Sequence, residues 1–117
     1  MNNIWNYISD QFVFLNLKKI SHGYLNLVDA QGKEYSFGDN RSFLKARLKI
    51  NNPSFCFNIL RKGSSGLGES YINGEFQTDD LTSVIELSAK NINITYKFSG
   101  FFQLLLLTNF LKKKNIF

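Results

Sequence analysis

The sequence predicts an α+β domain in which a largely antiparallel sheet packs against helices, and three observations predict this class. Residues 45–50 alternate apolar and basic side chains, which is the pattern of a half-buried strand. Two further apolar segments flank a turn, and three segments repeat apolar residues at helical spacing. The strands do not alternate regularly with helices, as they would in a parallel sheet, and 117 residues correspond to one domain.

The first third of the chain predicts a helix followed by a β-hairpin. The helix is expected to end near Lys18 and Lys19, because cations suit a helix C-terminus. Residues 23–28 and 34–37 then form two strands around a turn at residues 29–33, which contains an aspartate and a glycine. The predicted buried face of the helix consists of Ile4, Ile8, Phe12 and Leu15, with Trp5 beside them.

The middle of the chain predicts a third strand and two more helices. In the strand, Ala46, Leu48 and Ile50 face a core while the three cations between them face water. Asn52 and Pro53 have the residue types of a helix N-cap and a first helical position. The later helix starts after an acidic pair and ends at residues 90–91. The buried residues of these two helices are predicted to be Phe55, Ile59, Leu60, Leu81, Val84 and Ile85.

The last apolar segment, residues 96–111, covers nearly every side of a helix and runs directly into three lysines. A helix that is apolar all round is buried in a core or applied to lipid or a partner, and lysines suit anionic head groups. Both readings stay open, although the segment is shorter than the ~20 residues that span a bilayer. The candidate lipid-contact residues are Phe101, Phe102, Leu105, Phe110, Lys112, Lys113 and Lys114.

The net charge of +5 attracts polyanions of any kind, so charge alone selects no partner. No RNA-binding aromatic motif is present, and nucleic acid is not an expected partner. The single cysteine, Cys56, stands between two phenylalanines and is expected in the core of a protein from a reducing compartment. Since the N-terminus has no secretory pattern, we expect a cytoplasmic protein.

The glycine-rich stretch at residues 63–81 does not match the known phosphate loops. Glu69 follows Gly68 where a Walker loop needs lysine, and Tyr71 replaces the third small residue of a dinucleotide fingerprint. We expect a tight turn with close backbone packing, and a turn or buried hydrogen-bond role for Glu69 or Glu75. His22 is expected at the start of a strand, so the sequence predicts no catalytic, cofactor-binding or metal-binding residue.

These pieces, taken in order, resemble the N-terminal domain of the cyclopropane-fatty-acyl-phospholipid synthase family over about residues 4–95. The specific part is Gly66-Leu-Gly-Glu-Ser-Tyr-Ile-Asn-Gly-Glu-Phe76, in which Phe76 stands where the family usually has tryptophan. The other pieces lie at 20–25, 29–32, 37–38, 46–55, 79–81 and Asn91. The signature residues, expected to be structural, are Gly66, Leu67, Gly68, Glu69, Tyr71, Gly74, Glu75 and Phe76.

The resemblance implies a sterol-carrier-protein-like fold and a role in engaging phospholipid acyl chains. The family's catalytic domain uses S-adenosylmethionine and lies beyond the region that this chain covers, so residues 1–117 are expected to be a single accessory domain, inactive alone and without a cofactor. The alternative is a free-standing interaction module that docks a separate catalytic subunit. The expected partners are a phospholipid or membrane surface, the methyltransferase domain and a second copy of the chain, at the inner face of the membrane.

Overall fold

The computed structural model describes residues 4–63 and 66–94 and confirms the α+β class. In this part of the chain the sheet has four strands in the order β2-β1-β3-β4. The elements in chain order are α1 (Ile4–Leu17), β1 (Tyr24–Val28), β2 (Glu34–Gly38), β3 (Lys45–Ile50), α2 (Phe55–Lys62), α3 (Gly66–Ile72), β4 (Phe76–Gln77) and α4 (Leu81–Lys90).

The sheet combines two antiparallel pairings with one parallel pairing. The hairpin pairs β1 with β2 in antiparallel register, with Leu25 opposite Phe37, and β3 pairs with β4 in the same sense. After β2 the chain crosses to the other side of β1, where β3 runs parallel to β1 with Leu27 opposite Leu48. The largely antiparallel sheet is therefore confirmed.

One face of the sheet forms the core together with the helices. Along β3 the side chains alternate strictly between exposed and buried, so Ala46, Leu48 and Ile50 are buried as predicted. Residues of α1, α2 and α4 join them in one apolar cluster. Burial of each large apolar side chain stabilises the fold by about 1.5–3 kcal/mol.

The predicted buried face of α1 is partly wrong. Ile4 and Leu15 point outward, at 65% and 57% exposed, and Trp5 is also exposed. Ile8 is half-buried, and Phe12 packs against the core as predicted. The buried positions are instead Asn6, Ser9, Val13 and Asn16.

Hydrogen bonds explain how α1 buries polar side chains. The Asn6 amide donates to Ser54 Oγ at 3.1 Å, and the Asn16 amide donates to the Phe12 carbonyl at 2.9 Å. A buried amide with a partner avoids most of the cost of losing water. An apolar pattern by itself does not reveal the partner of Asn6, because Ser54 lies 48 residues further along the chain.

The later helices require two smaller corrections. α2 begins at Phe55, not at Pro53, because a turn occupies residues 52–54 and Ser54 N donates to Asn52 Oδ1 at 2.9 Å. The bounds of α4 agree with the sequence prediction, and Asp80 caps it by accepting from Ser83 N at 3.2 Å. Ile85, however, is 53% exposed, because α4 packs through Val84 and Leu87.

Two glycines allow β1 and β2 to meet closely at one end of the sheet. Gly23 and Gly38 have φ of +95° and +87°, a region that side chains rarely adopt. A Cβ atom on Gly38 would overlap the Gly23 carbonyl, and one on Gly23 would lie 2.5 Å from Leu87 Cδ1. Both positions belong to sequence pieces that carry the family resemblance.

Candidate functional site

The glycine-rich segment is more ordered than the predicted turn. Residues Gly66–Ile72 form α3, and a turn then leads into β4. Gly74 has φ of +71° and donates to the Tyr71 carbonyl at 3.1 Å, which closes that turn. A Cβ atom on Gly66 would lie 3.1 Å from Lys62 Cβ, so the close packing expected of the glycines occurs between α2 and α3.

Glu75 is the buried centre of this segment. Its Oε1 accepts hydrogen bonds from Asn58 Nδ2 at 2.9 Å and from Ser70 Oγ at 3.2 Å. Its main-chain oxygen accepts from Asn51 N and Asn52 N, at 2.8 and 3.1 Å. The carboxylate therefore ties α2 to α3, and the main-chain oxygen of Glu75 holds the residues after β3. This confirms a buried hydrogen-bond role for one of the two glutamates.

Glu69 has a different environment from Glu75. It is exposed on α3 and forms an ion pair with Lys62 at 3.0 Å. The two carboxylates face different partners, so they do not form an acid/base pair. Their arrangement fits a structural role for this segment.

The aromatic residues of the segment extend the core. Phe76 is 2% exposed and packs edge-on against Phe55 with ring centroids 5.3 Å apart. Tyr71 also contacts Phe76, with ring centroids 5.7 Å apart. Position 76 is thus a core position, and its phenylalanine fills it.

An apolar cavity of about 150 Å³ lies between the sheet and the helices α1, α2 and α4. Val13 and Leu17 line it from α1, Leu27 and Leu48 from the sheet, and Leu87 from α4. Leu67 of the glycine segment also contributes to the wall. The sequence did not predict this cavity, because its lining residues are dispersed along the chain.

Asn91 holds one side of the cavity wall. Its Oδ1 accepts from Ser21 N and His22 N at 3.1 and 3.3 Å, and its Nδ2 donates to the His22 and Leu87 carbonyls, each at 2.9 Å. The histidine takes part through its main chain and lies just before β1, as expected. Asn91 therefore fastens the end of α4 to the start of the hairpin.

Cys56 has no features of a reactive thiol. It is 1% exposed, and burial raises the pKa of its thiol well above the ordinary value. The thiol donates a hydrogen bond to Asp10, whose pKa burial also raises. A thiol that stays protonated is neither a nucleophile nor a metal ligand. Within the described residues no group of three or more His, Cys, Asp or Glu side chains could hold a metal.

The outer face of the sheet is basic. Lys45, Arg47 and Lys49 are exposed along β3, and the register places Tyr24 and Asn26 of β1 beside the first two. Among the residues that the structure describes, none of these three cations forms an ion pair, although Asp79 lines the same surface pocket as Arg47 and Lys49. The predicted basic surface is therefore present on one strand.

The predicted lipid-contact residues of the last apolar segment lie outside the described residues. In residues 4–63 and 66–94 no helix combines the length and hydropathy that crossing a bilayer requires. The seven predicted residues are Phe101, Phe102, Leu105, Phe110, Lys112, Lys113 and Lys114.

No protein-family model, curated protein or solved structure matches this chain.

Proposed function

We propose that this chain is the lipid-binding accessory domain of a methyltransferase of the cyclopropane-fatty-acyl-phospholipid synthase type. It holds part of a phospholipid acyl chain in the apolar cavity, at the inner face of the membrane. A separate catalytic domain carries out the chemistry with S-adenosylmethionine. The observation that carries this proposal is the cavity of about 150 Å³ with an almost wholly apolar wall.

The size of the cavity fits a section of an acyl chain. An apolar protein cavity of about this volume accommodates a benzene ring, which corresponds to about six carbon atoms. Each buried methylene contributes about 0.8 kcal/mol, and filling a cavity of 150 Å³ is worth about 4 kcal/mol at ~24 cal/mol per Å³. A gain of about 4 kcal/mol corresponds to a dissociation constant of about 1 mM, and it is realised only if the cavity is preformed, as apolar sites usually are.

The experiment compares two substitutions on one helix. Val84 lines the cavity and is buried, whereas its neighbour Ile85 is exposed and does not line it. With the fluorescent fatty acid cis-parinaric acid as probe, Val84→Phe should weaken binding at least about tenfold, since the ring occupies the ligand's space. Ile85→Phe should bind as the unchanged protein does.

Circular dichroism and thermal melting of both variants check that each is folded. The proposal fails if the unchanged protein gives no saturable fluorescence increase. It also fails if the two folded variants bind the probe equally well.

The proposal places catalysis outside this chain. Calorimetric titration with S-adenosylmethionine should therefore give no binding isotherm. A saturable heat signal would contradict the assignment as an accessory domain.

A second candidate function is an interaction module that docks a separately encoded catalytic subunit. It is favoured by the outward apolar stripe of α1, where Ile4, Trp5 and Leu15 are 65%, 47% and 57% exposed. Such a surface should cause the isolated protein to self-associate, and Leu15→Glu should abolish this. Monomeric behaviour in light scattering without lipid would count against this function.

A further inference from the structure

Phe43 is the most exposed large apolar side chain in the described part of the chain, at 108% of its reference exposure. The next residue, Leu44, packs against the core, so the loop between β2 and β3 turns one apolar side chain inward and the other outward. We infer that Phe43 and the cations around it form the contact between this domain and an anionic bilayer surface. This inference rests on the proposed function, because it takes lipid as the ligand.

Hydrogen bonds hold the loop that presents Phe43. Ser42 N donates to the Asp39 carbonyl at 3.0 Å, and Leu44 N donates to Ser42 Oγ at 3.2 Å. The Leu44 carbonyl accepts from Tyr24 N at 2.9 Å, which fixes the loop to the first residue of β1. Because the backbone is already ordered, insertion of the ring into an interface carries little further entropic cost.

Three parts of the chain meet at this end of the sheet, which we call the loop end. A Cβ atom on Gly38 would lie 3.2 Å from Ile20 Cγ2, so the segment after α1 reaches the end of β2. The bonds from Asn91 to Ser21 and His22 bring the C-terminus of α4 to the same place. The exposed cations of these segments are Lys18, Lys19, Arg41, Lys45 and Lys90.

The carboxylates at the loop end offset only part of this charge. Asp39 pairs with Arg41 at 3.2 Å, and hydrogen bonds from the Arg41 main chain and side chain lower the Asp39 pKa. Glu86 pairs with Lys90 at 3.6 Å. In the described part of the chain Lys45 forms no ion pair, although its charge helps to lower the Asp39 pKa. A cation near an anionic membrane surface contributes about 1 kcal/mol to binding.

The apolar cavity extends to the loop end. Its lining includes Leu17 and Ile20 from the end of α1, and Asn91 and Ile94 from the end of α4. A bilayer in contact with Phe43 would therefore lie next to the same elements that enclose the proposed acyl-chain site. The bilayer contact and the cavity would then share these elements.

A bilayer fits the loop end better than a protein partner does. The loop presents one aromatic ring among cations, the combination that suits an anionic membrane interface. A stable protein interface usually buries about 800 Å² on each partner and excludes charge from its centre. One ring among four lysines and one arginine does not provide that apolar centre.

The test is co-sedimentation with phosphatidylcholine vesicles that do or do not contain phosphatidylglycerol. Phe43→Ala should lower the partition coefficient about tenfold, and Lys45→Glu should do the same for the anionic vesicles. The matched controls are Ile72→Ala, which is 82% exposed, and Lys33→Glu in the hairpin turn, both far from the loop end along the sheet. Each control should bind vesicles as the unchanged protein does.

Binding of cis-parinaric acid in solution separates this inference from the proposed function. If Phe43→Ala weakens binding to vesicles and leaves binding of the fatty acid unchanged, the inference is supported. If the unchanged protein binds the fatty acid but does not bind anionic vesicles, the inference is overturned and the proposed function stands. The same holds if the control variants lose as much vesicle binding as Phe43→Ala does. If neither ligand binds, both are wrong.

Discussion

The two ends of β3 use their side chains in opposite ways. We call the C-terminal end of β3 the glycine end. There Asn51 N donates to the Glu75 carbonyl, and the Glu75 carboxylate accepts from Asn58 and Ser70. At the start of β3, the loop end, Phe43 and Lys45 point into solvent. The strand of six residues separates them by about 20 Å, at ~3.3 Å per residue.

This difference indicates a division of labour. The polar residues of the glycine end form internal hydrogen bonds, and removing these bonds should lower stability. The loop end exposes an apolar ring, which contributes little to the stability of the folded chain. Substitutions of Glu75 and of Phe43 should consequently separate stability from lipid binding.

The largest loss of stability is expected from Glu75→Leu at the glycine end. The substitution leaves the Asn58 amide and the Ser70 hydroxyl without their acceptor, and each buried donor costs about 1–3 kcal/mol. We expect a loss of about 4 kcal/mol in the free energy of unfolding, measured by urea denaturation. The matched control is Glu69→Leu, whose exposed ion pair is worth less than about 1 kcal/mol. Equal losses would show that the segment does not depend on buried hydrogen bonds.

A somewhat smaller loss is expected from Gly38→Ala at the loop end. The added methyl group meets the Gly23 carbonyl at a φ of +87°, and the combined strain and overlap should cost about 3 kcal/mol. Gly68→Ala is the control, since a Cβ atom there has open space within α3. It should raise stability by about 0.5–1 kcal/mol. If Gly38→Ala were neutral in thermal melting, the strands would not meet closely at this end.

Asp10 and Asp39 should contribute to the pH dependence of stability in opposite directions. Burial raises the pKa of Asp10 above 3.8, so its ionised form opposes folding at neutral pH, and this cost disappears as pH falls towards 3.8. Hydrogen bonds from Arg41 lower the pKa of Asp39, so its contribution is present at neutral pH and is lost as pH falls through its folded pKa, below 3.8.

Asp10→Asn should therefore raise the urea midpoint at neutral pH, and Asp39→Asn should lower it, with both differences shrinking in acid. The asparagine at position 10 still accepts from Cys56, which makes it a conservative change. Shifts of the same sign at neutral pH would contradict this assignment.

The sequence predicted the elements whose pattern is local. The hairpin, the alternation of β3 and the bounds of α4 depend on turn residues, strand period and a helix cap, and all are confirmed. The parallel pairing of β1 with β3 and the apolar cavity were not predicted, because each depends on which distant segments meet. The buried role of a glutamate was predicted, but its partners Asn58 and Ser70 were not.

The smallest loss of stability is expected on α1, which has a buried side and an exposed apolar side. Leu15→Ala should change the free energy of unfolding by no more than about 0.5 kcal/mol, since Leu15 is 57% exposed. Val13→Ala removes less side chain but should cost about 2 kcal/mol, because Val13 is buried against the core. A greater loss for Leu15→Ala would mean that this face is covered in solution, as the interaction-module reading requires. The same pair of variants therefore tests whether α1 contacts solvent or a partner.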